Sequence, residues 1–268
     1  MSRRRAQKKK KNDVLGSVMI AVAFAVFAVG GYFLYENNKN LVARDKSTNC
    51  RVDGVVTSET VLLVDTTDSV NPTQYQAIKN KLNDLLDNSN IDERISVYTI
   101  TEDPLKNVPL LVACNPGDGA DKSEWTANKR RLKENWEQKF KEKLESTVSD
   151  ILDADLATQS PIMEAIKAVG VYSFAASKAD KKQLIVVSDL LHHTAALSHY
   201  KTPKLDFSKV EGSAYLTSNL ANLNHAEVEI LYLTRAKDHP RQGRSHILFW
   251  EKYFEKSKSV ISRISNVN

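Results

Sequence analysis

Val61-Leu62-Leu63-Val64-Asp65-Thr66-Thr67-Asp68-Ser69-Val70 (VLLVDTTDSV) sets four strand-forming residues directly against a cluster of short, oxygen-bearing side chains. An apolar run of this kind reads as a strand buried on both faces, and such strands belong to parallel sheets covered by helices. The same kind of run recurs at residues 95–100, 184–188 and 228–233. Segments of helical period lie between them. Asn71-Pro72 offers an N-cap followed by proline at the first helical position, and Tyr75, Ile78, Leu82, Leu85 and Leu86 follow at helical spacing. Pro161 opens a second helix with Ile162, Ile166, Val169 and Tyr172 on one side. A last helix from about Ser245 is expected to bury Ile247, Trp250, Phe254, Ile261 and Ile264. This alternation predicts an α/β fold, a doubly wound, mostly parallel sheet flanked by helices.

Two further segments refine the layout. Leu132, Trp136, Phe140, Leu144 and Val148 form an apolar stripe spaced strictly by four on an otherwise charged segment, which predicts a helix lying on the surface of its own domain. Pro109 to Cys114 (PLLVAC) follows the second strand too closely for a helical crossover and predicts a short antiparallel edge strand. That polarity brings Cys114 to the end of the sheet where the first strand begins and where Cys50 also lies. A Cys50–Cys114 disulfide is therefore expected, in an oxidising compartment.

The front of the chain differs from the rest. Arg3, Arg4, Arg5 and Lys8 to Lys11 against Asp13 give seven minus one, or six, positive charges, so the formal net charge of +5 leaves the remainder at minus one. The basic excess sits in an arm and not on a folded face, which disfavours a nucleic-acid partner. Residues 14–35 (VLGSVMIAVAFAVFAVGGYFLY) contain no charged side chain and would span about 33 Å as a helix. With the basic arm in the cytoplasm, the expectation is a single-pass membrane protein whose carboxyl-terminal domain lies outside, in the periplasm if the source is Gram-negative. A cleaved signal peptide ending near Ala28-Val29-Gly30 fits less well, because the apolar stretch continues past that point. The expected plan is a basic arm (1–13), an anchor (14–35), a polar tether (36–49) and a folded domain (50–268).

In a doubly wound sheet, ligands sit beyond the carboxyl ends of the strands, where neighbouring connections diverge. Asp65 ends the first strand there, and Asp189 ends the run QLIVVSDL. Thr67 and Ser69 follow Asp65 at alternate positions, and Ser160 precedes Pro161. Carboxylates and hydroxyls without thiol or imidazole form a hard, all-oxygen set suited to magnesium, with manganese or calcium as alternatives. Each residue also has a plainer reading, Ser160 as a helix N-cap and Asp65 and Asp68 as turn formers. His192 and His193 are adjacent and lack partners at ligand spacing, so they read as loop residues.

Taken together, D-x-T-x-S at Asp65, Thr67 and Ser69, S-P at Ser160 and S-D at Asp189 resemble the metal-ion-dependent adhesion site (MIDAS) of the von Willebrand factor type A (VWA) domain. The likeness in element order covers most of residues 55–265. It implies that Asp65, Thr67, Ser69, Ser160 and Asp189 hold a divalent cation whose open position takes an acidic group of a partner protein. Two positions depart from the family, which usually has serine where Thr67 stands and threonine where Ser160 stands; both keep a hydroxyl oxygen. Thr158 is the alternative to Ser160 in a register shifted by two. Asp68 falls between the motif positions and has no role in it.

Three functions from different classes follow. The first is a membrane-anchored, cation-dependent binding module without enzymatic activity. The second is a magnesium-dependent phosphoryl-transfer hydrolase with Asp65 as nucleophile, for which Thr67 stands where a second aspartate is wanted. The third is a metal-free scaffold presenting the helix around Trp136.

Overall fold

The computed structural model describes residues 16–32, 35, 42–103, 107–124, 127–154, 157–202 and 204–268. Two compact units are present, residues 1–43 and Arg44–Asn268. In the first, residues 16–32 form an exposed helix, α1. The basic arm, residues 14, 15, 33 and 34 of the expected anchor, and tether residues 36–41 lie outside the described residues. Among the described residues, no helix is long and apolar enough to cross a membrane.

The second unit is built on a six-stranded sheet of order β3-β2-β1-β4-β5-β6. Its strands are β1 (Ser58–Val64), β2 (Arg94–Thr99), β3 (Leu111–Cys114), β4 (Lys181–Ser188), β5 (Glu227–Leu233) and β6 (Val260–Val267). Every pairing is parallel except β2 with β3. The expected sheet and the antiparallel edge strand are present, and β1 and β4 are neighbours. Residues alternate across β1: Val61 and Leu63 enter one apolar core, with α5 (Ile162–Val169), α6 (Ala214–Asn219) and α7 (Arg244–Lys256), while Leu62 and Val64 enter the other. That second core is closed by α2 (Pro72–Asn88), α3 (Lys129–Trp136) and α4 (Glu142–Leu152). Burial on both faces explains why the strands read as continuous apolar runs.

Helix α2 begins as its sequence dictates. The Asn71 side chain accepts the Gln74 amide at 2.9 Å, and the Gln74 side chain accepts the Asn71 amide at 3.2 Å. This reciprocal cap satisfies two backbone donors that the helix cannot pair internally. Asn71→Ala is expected to cost about 1 kcal/mol, read as a lower urea midpoint at unchanged slope.

Three expectations are corrected. The last helix stops at Lys256, and Ile261 and Ile264 lie on β6. Lys258, at φ 56°, turns the chain, and β6 then pairs with β5 with a register shift in which Val228 faces Ile261 but Glu229 faces Arg263. Ser262 is thus a bulge residue, and the extra residue brings Ile261 and Ile264 to the same core at a spacing that imitates a helix. Tyr172 is 61% exposed, because α5 continues into a π-turn at Gly170–Phe174 that rotates it outward. In α2 the buried polar residue is Gln74, while Tyr75 is only half-buried.

The stripe from Leu132 to Val148 also runs through a π-turn, Glu137–Lys141, which joins α3 to α4. Residues four apart on an α-helix drift by about 40° per step, and the wider π-turn offsets that drift. Phe140, Leu144 and Val148 are accordingly buried in the core, as expected of a helix packed on its own domain.

Cys50 and Cys114 form the expected disulfide. Around it, the Cys114 amide donates to the Thr48 carbonyl at 2.8 Å and Asn49 Nδ2 to the Lys139 carbonyl at 3.2 Å. Arg44 and Arg51 both pair with Asp92, at 2.6 and 3.3 Å. Residues 44–50 are thereby fixed at the amino ends of the parallel strands, since Cys114 lies opposite Arg94, the first residue of β2.

Candidate metal centre at the strand ends

At the opposite end of the sheet, the register Val64↔Val187 sets Asp65, one residue past β1, beside Ser188, the last residue of β4. The Asp65 amide donates to the Val187 carbonyl at 2.8 Å, so its backbone still belongs to the sheet while its side chain enters the crevice. Connections leave β1 towards β2 and β4 towards β5, on opposite sides, which is the switch point where such sheets open.

Hydroxyls converge on the buried Asp65 carboxylate. Oδ1 accepts the Thr67 amide at 3.0 Å and Thr67 Oγ1 at 2.8 Å; Oδ2 accepts Ser188 Oγ at 2.6 Å and Ser160 Oγ at 3.3 Å. Ser160 reaches this position because its backbone pairs with His193, the Ser160 amide donating to the His193 carbonyl at 3.0 Å and the reverse bond measuring 2.9 Å. It does not cap α5, whose N-cap is Pro161 with no side-chain bond. Thr158 is directed elsewhere, its amide and hydroxyl both donating to Glu102 Oε1. Thr67 and Ser160 line an open cavity of about 220 Å³ together with Asp68, Thr158, Gln159, His193 and Tyr200.

Asp189 stands next to this cluster but faces another group. Its Oδ1 accepts the Leu191 amide at 2.8 Å and its Oδ2 accepts Arg235 Nε at 3.2 Å. Leu190, at φ 58°, bends the chain directly after it, and the Leu190 carbonyl is held by His246 Nε2 at 2.9 Å and Trp250 Nε1 at 3.0 Å. A left-handed leucine is strained, and these two bonds from α7 hold it in place. Burial, and then the charge of Asp65, push the Asp189 carboxyl above the usual carboxylate range; the Leu191 amide and Arg235 offset this only in part. Arg235 also donates through Nη1 to the Ser69 carbonyl at 2.7 Å. Ser69 itself is exposed and lines a different cavity, with Arg235 and Lys237. Asp68 lies 3.8 Å from Arg235 Nε and 3.4 Å from Lys237 Nζ.

Of the five residues singled out in the sequence, the fold therefore gathers Asp65, Thr67 and Ser160. Asp189 lies beside them on Arg235, and the Ser69 hydroxyl lies apart. Two contributors were missed. Ser188 stands in the quoted S-D pair, and Arg235 lies two residues past the end of β5, whereas Asp65 and Asp189 lie one residue past β1 and β4. A basic residue just past the end of a neighbouring parallel strand was the signal for it.

Among the described residues, no group of three or more His, Cys, Asp or Glu side chains is placed to hold a metal ion. The donors here are of another kind. A hydroxyl that gives its proton to Asp65 keeps two lone pairs for a cation, so Thr67 and Ser160 fit a hard dication with Asp65 fixing their orientation. Asp189 fits only as far as Arg235 leaves it.

His192 and His193 diverge. His193 Nδ1 meets Ser198 Oγ at 2.8 Å at the cavity wall. His192 is fully buried, with Nε2 2.9 Å from the Tyr215 hydroxyl, and lies near the buried His199, which in turn packs against the buried His246.

No protein-family model matches the chain, and no curated protein sequence does. Solved structures similar to it include an aerotolerance-related membrane protein from Bacteroides fragilis NCTC 9343, crystallised with multiple mutations to serines. It is 12% identical, with 79% of this chain and 92% of that one covered, at a TM-score of 0.40. The conserved hypothetical protein BatB from Bacteroides thetaiotaomicron is 13% identical, with 78% and 91% covered, at a TM-score of 0.40. The SpRpn10 VWA domain is 11% identical, with 79% and 88% covered, at a TM-score of 0.40.

Proposed function

We propose that this protein is a membrane-anchored binding module of the VWA type, whose tip uses a divalent cation to capture an acidic group of a partner protein. The observation that carries the reading is the convergence of the Thr67, Ser160 and Ser188 hydroxyls on buried Asp65, beside an open cavity at the β1/β4 switch point. Asp65 orients the hydroxyls, Thr67 and Ser160 face the cation, and Asp189 adds charge from the neighbouring strand. Magnesium suits this set best, with manganese and calcium as close substitutes. The cation, when bound, supplies a Lewis-acidic position for a carboxylate.

The topology supports presentation to a partner. The chain enters the domain at the amino ends of the strands, and the hydroxyl cluster lies at their carboxyl ends. An anchor within residues 14–35, with the amino terminus in the cytoplasm, would leave the folded domain outside the cytoplasm. The disulfide suits the oxidising compartment that this orientation implies. The hydrolase reading is weaker, because both Asp65 oxygens are engaged by hydrogen bonds and Thr67 supplies no second carboxylate.

Full-length protein in detergent is expected to bind one Mn2+ per chain, measured by the loss of the free-ion electron paramagnetic resonance signal. Asp65→Asn should weaken this binding at least tenfold without changing the far-ultraviolet circular dichroism. Absence of saturable binding up to millimolar Mn2+ would refute the cation.

A further inference from the structure

Arg235 has a side chain that is 14% exposed and makes two committed contacts, to Asp189 Oδ2 at 3.2 Å and to the Ser69 carbonyl at 2.7 Å. Both acceptors belong to segments singled out as cation ligands, so the guanidinium holds together, from the β5 side, the loops that follow β1 and β4. The other Asp189 oxygen is taken by the Leu191 amide. A dication approaching Asp189 therefore meets an occupied oxygen and a like charge. Asp68, which the sequence motif leaves without a role, lies only 3.8 Å from Arg235 Nε and already receives Lys237. It is half-buried and gives the guanidinium a second carboxylate close to the first.

We propose that Arg235 is the internal cation of this tip: it holds Asp189 and the Ser69 carbonyl when no divalent ion is bound, and yields Asp189 to the ion by moving towards Asp68. The proposal rests on the cation-binding reading above and adds a competitor to it. Divalent affinity is then set by exchange of one cation for another and not by filling an open site. Ion binding also releases the Ser69 carbonyl from the loop after β5, so the ion-bound tip has a different outer surface from the ion-free tip. Among the described residues Arg235 makes no hydrogen bond or ion pair with Asp65 or its hydroxyl donors, and its role is to hold Asp189 and Ser69. Lysine cannot replace it, because a single ammonium lacks the fork that reaches two acceptors on different loops.

Two measurements on the full-length chain in detergent test this. In the Mn2+ titration, Arg235→Gln is expected to bind at least tenfold more tightly than wild type, and Arg235→Gln combined with Asp65→Asn to lose the gain. In wild-type protein without variants, the Arg235 Nε–H resonance is expected to be protected from exchange and shifted by its carboxylate partner in chelator, and to move on saturation with Mg2+. Equal Mn2+ affinity of wild type and Arg235→Gln, or an Nε–H signal unmoved by saturating Mg2+, would overturn the switch while leaving the cation site standing. Failure of both proteins to bind Mn2+ would overturn the switch and the cation reading together.

Discussion

Lowering the pH from 7 to 5 is expected to reduce the unfolding free energy of this protein by roughly 4 kcal/mol through His192 and His246, with His199 adding to the loss in the same direction. His192, His199 and His246 are 0, 3 and 3% exposed. Burial lowers His192 to about 3, helped by the charge of His193, and lowers His246 to about 4 against a partial opposing effect of the Leu190 carbonyl. His199 falls well below its ordinary value through burial and then through its neighbours His246 and His192. His192 and His246 are neutral in the folded protein at pH 5, and burial holds His199 towards the neutral form, whereas in the unfolded chain all three take up protons below about 6.5. The unfolded state then binds more protons, so stability falls with pH, and the loss runs from about 6.5 towards 4. His192 and His246 each contribute about 2 kcal/mol by pH 5, at about 1.36 kcal/mol per unit. Asp189 acts in the opposite sense, since its raised carboxyl is protonated in the folded state first, and it offsets part of the loss.

The groups around the rings do not rescue them. The Tyr215 hydroxyl meets both His192 Nε2 and Glu164 Oε1. Tyr232 meets His246 Nδ1 at 2.7 Å, and because His246 Nε2 faces a carbonyl, Nδ1 is the acceptor of the neutral ring. Neither ring nitrogen of His199 has a partner among the described residues, and the ring packs edge-on against His246 and Phe249. His199→Leu removes two unpaired polar atoms and one latent proton site. It should be neutral or stabilising at pH 7 and lessen the acid-induced loss. Urea midpoints at pH 7 and pH 5 measure both effects, and a midpoint that does not move between the two would show that the rings titrate normally.

What the sequence makes legible divides along a physical line. Continuous apolar runs such as 61–64 and 184–187 identify doubly covered strands, because burial on both faces leaves no room for a polar alternate residue. The disulfide was legible from the presence of two cysteines in an expected oxidising compartment together with strand polarity. Strand β6 was hidden because the Ser262 bulge brought Ile261 and Ile264 to one core at helical spacing, and local pattern does not separate that from an amphipathic turn. At the tip, Asp65, Thr67 and Ser160 were legible because topology places strand ends together. Arg235 and the histidine cluster were not, since residues 235 and 189, or 199 and 246, meet only through tertiary packing.

The second large effect concerns the opposite end of the domain. Cys50→Ser with Cys114→Ser is expected to cost about 4 kcal/mol, because the bond closes a loop of sequence separation 64 and removing it restores that freedom to the unfolded chain. For a domain of this size the midpoint of thermal unfolding should fall by roughly 10 °C. The folded state loses little by comparison. The Thr48 carbonyl still accepts the Cys114 position's amide, and Arg44 and Arg51 still hold Asp92 at the amino ends of the strands. Strands β1 and β4, which carry Asp65 and Asp189, keep their register without the bond. The double variant should therefore unfold at lower temperature yet bind Mn2+ with wild-type affinity at 20 °C. A tip affinity that fell with the disulfide would show that the two ends of the sheet are coupled through β1, whereas an unchanged melting midpoint would show that the loop is already constrained in the unfolded chain.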